Sequence, residues 1–207
     1  MVFKRLFKKI KEEKELIQGE ATRGKVFTSN HIYATPDEAK REFKRAVSKL
    51  FDINRWSKLP GFTSTFQLHD ADGMEKGASV PQKGDYVKIV LPAPAPENWV
   101  VVTNIHEEED RVEFTVSPSV NPTKEQDEQD KIEHFFIPEA SSTFRVQRDG
   151  NNLAAFEIGK NEGINNDEDA GNRKVINTLI AQGGWAGIQD LQWNKLTDYL
   201  VHKIEID

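Results

Sequence analysis

The chain has 207 residues, of which 37% are hydrophobic and 30% are charged, and its formal net charge is −6. This length and composition favour a soluble globular protein with one large core. The chain contains no cysteine, which excludes disulfides, thiolate nucleophiles and cysteine-ligated metal sites. An acidic protein is poorly suited to phosphate backbones, so we expect no nucleic-acid partner. No stretch is apolar enough to span a membrane, and we expect a cytoplasmic location.

The first eleven residues are rich in lysine and arginine and contain no acid, and their apolar residues fall at helical spacing. This pattern predicts a basic amphipathic helix with a linker over residues 1–20, ahead of a main domain over residues 21–207. The helix could pack on its own domain. Alternatively, residues 1–17 could contact a protein partner, a second copy or an anionic membrane surface.

Residues 25–61 read as a strand, an amphipathic helix and a turn. The strand is indicated by alternation over residues 25–34. Thr35 then provides an N-cap, Pro36 suits the first helical position, and two acidic residues follow in the first turn. The apolar stripe of the helix is predicted to seal one end of the fold. A second short helical turn over residues 52–59 contains Trp56, which we place at the rim of an interior cavity.

Six further runs of alternating apolar residues follow, and with the first they predict about seven strands. They fall within residues 62–68, 87–91, 99–105, 112–116, 144–146 and 154–158. Short connections, such as the acidic turn at 107–110 and the Asp-Gly turn at 148–151, favour antiparallel pairing. Alternation on one face predicts a sheet with a single buried side. Residues 121–130 form a longer polar excursion.

The last part of the chain, residues 173–204, repeats apolar residues at helical spacing, with an interruption at Gly183 and Gly184. A helix here would cover the buried side of the sheet. The predicted fold is therefore α+β, with a curved antiparallel sheet around a long C-terminal helix.

This order of elements, together with the run from Thr35-Pro36-Asp37-Glu38 to Trp56, resembles the START-like (Bet v 1-like, polyketide cyclase) superfamily. The resemblance covers residues 25–204. It implies a helix-grip fold, in which the sheet wraps the final helix and encloses an apolar cavity. Members of the superfamily bind lipids, sterols, polyketides and plant hormones or contact cochaperones. The resemblance transfers no catalytic residue to this chain.

Aromatic residues are the candidates for lining such a cavity, although aromatic residues at such positions more often fill a closed core. The predicted ligand-binding residues are Trp56, Phe66, Trp99, Phe114, Phe144, Phe156 and Trp193. Polar residues on otherwise apolar strand faces could orient a ligand. These are Thr28 and Asn30 or, if the sides of the sheet are reversed, Arg145 and Glu157.

Signals for catalysis and for metals are weak. His134, next to Glu133, is the best candidate for a general base, although a structural role is the preferred explanation for it. No histidine pair has the spacing of a helical metal site, and residues 165–169 do not continue into a calcium-binding loop. Glycine-rich phosphate loops are also absent from the sequence. We therefore expect no metal and no cofactor.

Three functions remain open at this point. The first is non-catalytic binding of a small hydrophobic or amphipathic, lipid-like ligand in the cavity. The second is an adaptor with a closed cavity that acts through the N-terminal helix or the acidic loops. The third is an enzyme of cyclase or hydrolase type, which requires an acid and a base that converge inside the cavity.

Overall fold

The computed structural model describes residues 24–62, 64–90, 97–124, 136, 138–162 and 185–206. Seven antiparallel strands in these ranges form one curved sheet with the order β1-β7-β6-β5-β4-β3-β2. The strands are β1 Lys25–Ile32, β2 Thr65–His69, β3 Tyr86–Val90, β4 Glu97–Glu108, β5 Arg111–Ser119, β6 Ser141–Asp149 and β7 Asn152–Lys160. The α+β fold predicted from the sequence is confirmed.

Within the described ranges three helices accompany the sheet: α1 Pro36–Phe51, α2 Ile53–Trp56 and α3 Trp185–Leu200. The start of α1 follows the prediction, because the Glu38 backbone N–H donates a 3.1 Å hydrogen bond to the Thr35 hydroxyl. The Glu38 carboxylate in turn accepts a 3.1 Å hydrogen bond from the backbone N–H of Ala34. The first bond caps the helix, because it satisfies a donor that the helix itself leaves free, and the second ties the first turn of the helix to the residue before the N-cap. Phe43 and Leu50 on this helix are buried in the core.

Helix α3 ends at Leu200, earlier than the predicted end at residue 204. His202 has a φ angle of 64°, and its backbone N–H donates to the Tyr199 carbonyl, while the Lys203 N–H donates to the Asp198 carbonyl. This pair of bonds is a Schellman motif, which usually has glycine at the position of positive φ. A histidine occupies it here, so the sequence carries no glycine signal for the helix end.

Polar contacts hold α3 against the edge strand β1. The Ser29 hydroxyl donates a 2.5 Å hydrogen bond to the Asp198 carboxylate and accepts one of 2.8 Å from the Lys203 ammonium group. Two residues further along β1, His31 Nδ1 lies 3.2 Å from the carbonyl oxygen of Val201, which follows α3. These contacts position the C-terminal end of α3 over the concave side of the sheet.

We call the sheet face that contacts the helices the inner face and the opposite face the outer face. On β7 the inner residues are Leu153, Ala155 and Glu157, and the outer residues include Phe156 and Ile158. Strand β7 is buried on both faces over Asn152 to Gly159, so the expectation of a single buried side is wrong for this strand. A hydrophobic cluster of Val26, Ala154, Phe156 and Ile158 on the outer face explains the difference.

Several predictions concern residues outside the described ranges. These are the N-terminal helix and linker over residues 1–20, most of the polar excursion, His134, and the interruption at Gly183 and Gly184. The division between residues 1–20 and 21–207 therefore stays a prediction. Over the ranges that are described, no helix is both long enough and apolar enough to cross a membrane.

Candidate ligand cavity

A cavity lies between the inner face of the sheet, the short helix α2 and the helix α3. Its wall is mainly apolar and comes from five strands, both of these helices and the segments before β2 and β6. The lining residues are Ile53, Trp56, Ser64, Phe66, Val87, Ile89, Val100, Phe114, Val116, Pro118, Phe136, Ala140, Ser141, Ser142, Phe144, Gln192 and Trp193. Every strand except β1 and β7 contributes to this wall.

Trp56 forms the central part of the wall. Its side chain is only 1% exposed, and its indole N–H donates a 3.0 Å hydrogen bond to the Lys49 carbonyl at the end of α1. Its ring centroid lies 5.0 Å from that of Phe144 and 6.0 Å from that of Phe114. Trp56 therefore lies deep among other aromatic rings, and its predicted position at the rim is wrong. Pro60 and Gly61, which follow α2, give no signal of how deeply Trp56 is buried.

The aromatic side chains occupy most of the space between the sheet and α3. Phe144 bridges the two layers, because its ring lies 5.3 Å from Phe114 on β5 and 5.4 Å from Trp193 on α3. The empty space, including the part open to solvent, amounts to about 670 Å³, of which about 50 Å³ can hold the centre of a water-sized molecule. One water needs roughly 10–15 Å³ in this measure. The cavity thus suits a short alkyl chain or one small ring.

Few polar groups interrupt this apolar wall. The Gln192 amide donates a 2.9 Å hydrogen bond to the Ser64 hydroxyl, and both side chains are buried. The indole N–H of Trp193 is also buried, and among the described residues nothing accepts a hydrogen bond from it. Ser142 contributes a further hydroxyl at the β6 side. These groups could orient a ligand that carries one polar end.

Glu157 lies directly behind this wall. It is on the inner face of β7, opposite Phe144 of β6, and its side chain is 0% exposed. Within the described part of the chain, neither carboxyl oxygen makes a hydrogen bond of normal geometry. Burial raises the pKa of Glu157 well above its ordinary value of 4.5, the charge of Glu162 adds to this effect, and weaker interactions with Ser142 and Lys25 oppose it. Desolvation outweighs these opposing interactions and therefore favours the protonated acid.

Glu162 reaches the same face of the sheet from beyond the end of β7. Gly159 is two residues after Glu157 and so points to the inner face as well. A side-chain carbon added at Gly159 would collide with the carboxylate of Glu162. The glycine thus leaves room for this carboxylate above the strand backbone, beside Ser142, which pairs with Gly159.

Five of the seven predicted ligand-binding residues line the cavity: Trp56, Phe66, Phe114, Phe144 and Trp193. Their role in binding stays a prediction. The other two, Trp99 and Phe156, lie on the outer face and cannot line it. Trp99 packs against His69 at 4.8 Å between ring centroids, and Phe156 belongs to the outer hydrophobic cluster.

A β-bulge explains the misplacement of Trp99. The pairing of β4 with β5 shifts register between Val102 and Asn104. At this point the alternation of side chains between the inner and outer faces changes phase. Val100 and Val102 face inward before it, and Ile105, opposite Phe114, faces inward after it. The sequence run of Trp99, Val101 and Ile105 therefore does not share one face.

The polar candidates divide between the two faces. Glu157 is the inward-facing one, whereas Thr28, Asn30 and Arg145 face outward, and Asn30 donates a 3.0 Å hydrogen bond to Asn152 there. Sequence reasoning missed Ser64, Ser142 and Gln192 as part of the wall. Ser64 and Ser142 alternate in step with Phe66 and Phe144, but a serine or glutamine in such a position gives no signal that it borders a cavity. The described lining residues include no histidine, aspartate, glutamate or tyrosine.

Comparisons with known proteins support the fold. No protein-family profile matches the sequence, and no curated protein matches it. A hypothetical protein from Helicobacter pylori matches with a TM-score of 0.50 and 11% identity, over 84% of this chain and 87% of that chain.

Two other solved structures are more distant. Major latex-like protein 151 from Panax ginseng matches with a TM-score of 0.37 and 12% identity, over 82% of this chain and 95% of that chain. Norcoclaurine synthase from Thalictrum, solved with a transition-state analogue, matches with a TM-score of 0.35 and 13% identity, over 88% and 98%. The strand order and the curved sheet around α3 give this chain a helix-grip fold.

Proposed function

We propose that this protein binds a small apolar or amphipathic ligand in the cavity between the sheet and α3, without catalysing a reaction. The observation that carries the proposal is the aromatic cavity itself, which has room for about a few waters yet is lined almost wholly by apolar groups. Burying an apolar molecule there would stabilise the complex by about 25 cal/mol for each Å² removed from water.

Two further observations support a ligand with one polar end. The unsatisfied indole N–H of Trp193 and the paired Ser64 and Gln192 side chains lie in the same wall. An enzyme would need an acid and a base at the cavity surface, and the described lining residues supply no such pair. The lipid-like nature of the ligand and the cytoplasmic location stay predictions from the sequence.

The test uses purified full-length protein. Native mass spectrometry should detect a co-purifying small molecule, and calorimetric titration with 1-hexanol should show binding of one molecule per chain. The substitution Val116→Phe enlarges a side chain that lines the cavity. We expect it to weaken 1-hexanol binding by at least about tenfold, which corresponds to about 1.4 kcal/mol.

Val101→Phe is the matched control, because Val101 is on the neighbouring strand but faces outward, opposite Ser117. It should leave 1-hexanol affinity unchanged. Thermal unfolding of both variants shows whether the added side chain disturbs the fold, since overpacking typically costs about 1–3 kcal/mol. Equal 1-hexanol affinity in wild type and a well-folded Val116→Phe variant would contradict the proposal.

A further inference from the structure

We propose that Glu157 gives the cavity its ligand preference, and that the preferred ligand is a small apolar amine whose protonated nitrogen binds the Glu157 carboxylate. The inference rests on the proposed function, because the alkyl part of the amine would occupy the aromatic cavity. It adds the chemical class of the ligand and the residue that recognises it.

The position of Glu157 supports this role. Its cross-strand neighbour is Phe144, and its carboxyl group interacts with Ser142; both of these residues line the cavity. Glu157 thus lies next to two residues of the cavity wall, so that a ligand on this side of the cavity would approach its carboxyl group.

The missing hydrogen bonds identify the kind of group that fits. A buried carboxyl group without partners is costly, and a structural acid is normally paired. An ammonium group offers three N–H donors and a positive charge, so it can satisfy both carboxyl oxygens of Glu157 at once. A neutral alcohol offers one donor and no charge.

The surrounding charges favour a cation over an anion. Glu162 places a second carboxylate on the inner face above Gly159, and its charge acts on Glu157. Lys25, which pairs with Gly159 from β1, is the cation that acts on Glu157, and its effect is the smaller one. A carboxylate ligand would lie close to two acidic side chains, those of Glu157 and Glu162, whereas the ammonium group of an amine would be attracted to both.

Binding should release a proton. Because burial raises the pKa of Glu157, the free protein keeps the proton on this carboxyl group to higher pH than an exposed glutamate does. The amine arrives already protonated. When its ammonium group binds, any Glu157 that is still protonated ionises and its proton passes to the solvent, so that amine binding is accompanied by proton release.

The experiment compares hexylamine, 1-hexanol and hexanoate by calorimetry on the full-length protein at pH 7, in two buffers with different ionisation enthalpies. We expect hexylamine to bind at least about tenfold more tightly than 1-hexanol, with net release of protons, and hexanoate to bind most weakly. Glu157→Gln should remove the preference for the amine and the proton release. It should keep binding of 1-hexanol, which also shows that the variant is folded.

Glu107→Gln is the matched control, because it removes the same charge from an exposed position on β4. It should behave as wild type with all three probes. Equal affinity for hexylamine and 1-hexanol, or a preference for the amine that persists in Glu157→Gln, would overturn this inference while leaving cavity binding intact. If none of the three probes binds wild type, the proposed function fails first and the inference fails with it.

Discussion

Two buried glutamates on opposite faces of the sheet have contrasting environments. Glu113 on the outer face is 9% exposed, and its carboxylate accepts a 2.5 Å hydrogen bond from Arg145 and one of 3.0 Å from Arg111. Glu157 on the inner face is fully buried, and none of the described residues makes a normal hydrogen bond to it. The two residues are in strands that both pair with β6.

The protonation of the two carboxyl groups differs accordingly. Burial acts to raise the pKa of Glu113, but the guanidinium of Arg145, helped by Arg111, outweighs it and holds the pKa below the ordinary value of 4.5. Burial of Glu157 is opposed only weakly, and its pKa is raised. Burial alone therefore does not decide the charge of a carboxyl group. Glu113 is committed to structure, whereas Glu157 retains its hydrogen-bonding capacity.

The largest expected effect comes from removing the partner of Glu113. Arg145→Met should lower the free energy of unfolding at pH 7 by about 3–5 kcal/mol, because it leaves Glu113 buried without its main counter-charge. Urea denaturation followed by circular dichroism measures this loss. Arg111→Met is the control, since Arg111 is 36% exposed and Arg145 remains. Equal losses in the two variants would show that Arg145 has no special role in stabilising Glu113.

An intermediate effect on the free energy of unfolding is expected at Glu157, where the substitution should raise stability rather than lower it. A carboxyl group whose pKa is raised in the folded state lowers stability as pH rises from its unfolded pKa, here 4.5, towards its folded pKa. Glu157→Gln removes this penalty, so the variant should match wild type near pH 4 and be more stable by about 1–3 kcal/mol at pH 8.

Urea denaturation at several pH values measures the difference between the Glu157→Gln variant and wild type. Glu107→Gln, which changes an exposed acid, should follow the wild-type profile. A constant difference between Glu157→Gln and wild type from pH 4 to pH 8 would argue that Glu157 does not titrate abnormally. That outcome would also remove the basis for proton release on amine binding.

The smallest effect is expected at an exposed ion pair. Lys40 on α1 lies 2.9 Å from Glu109 in the acidic turn, and their side chains are 49% and 75% exposed. Solvent screens such a pair, so Lys40→Met should leave the urea midpoint unchanged within experimental error. A clear loss of stability would show that this ion pair contributes to stability despite its exposure.

Local patterns predicted the elements well but not their faces. The N-cap at Thr35 and the Asp-Gly turn after β6 depend on neighbouring residues alone, and both are found as expected. Trp99 and Phe156 were assigned to the cavity because they are aromatic and alternate with polar residues. A bulge in β4 and an outer hydrophobic cluster on β7 place both on the opposite face. Neither feature leaves a local signature, because each depends on partner strands.

Sequence patterns alone predict the α+β class, the order of the strands and helices in the described part of the chain, and five of the aromatic side chains that line the cavity. These follow from periodicity, capping and turn chemistry, which act over a few residues. The tertiary structure alone sets which face each strand presents, how far the aromatic rings fill the interior, and that Glu113 is ion-paired whereas Glu157, within the described ranges, lacks a normal hydrogen bond. Those properties depend on pairing between strands that are distant in the sequence, and on the desolvation that such pairing imposes.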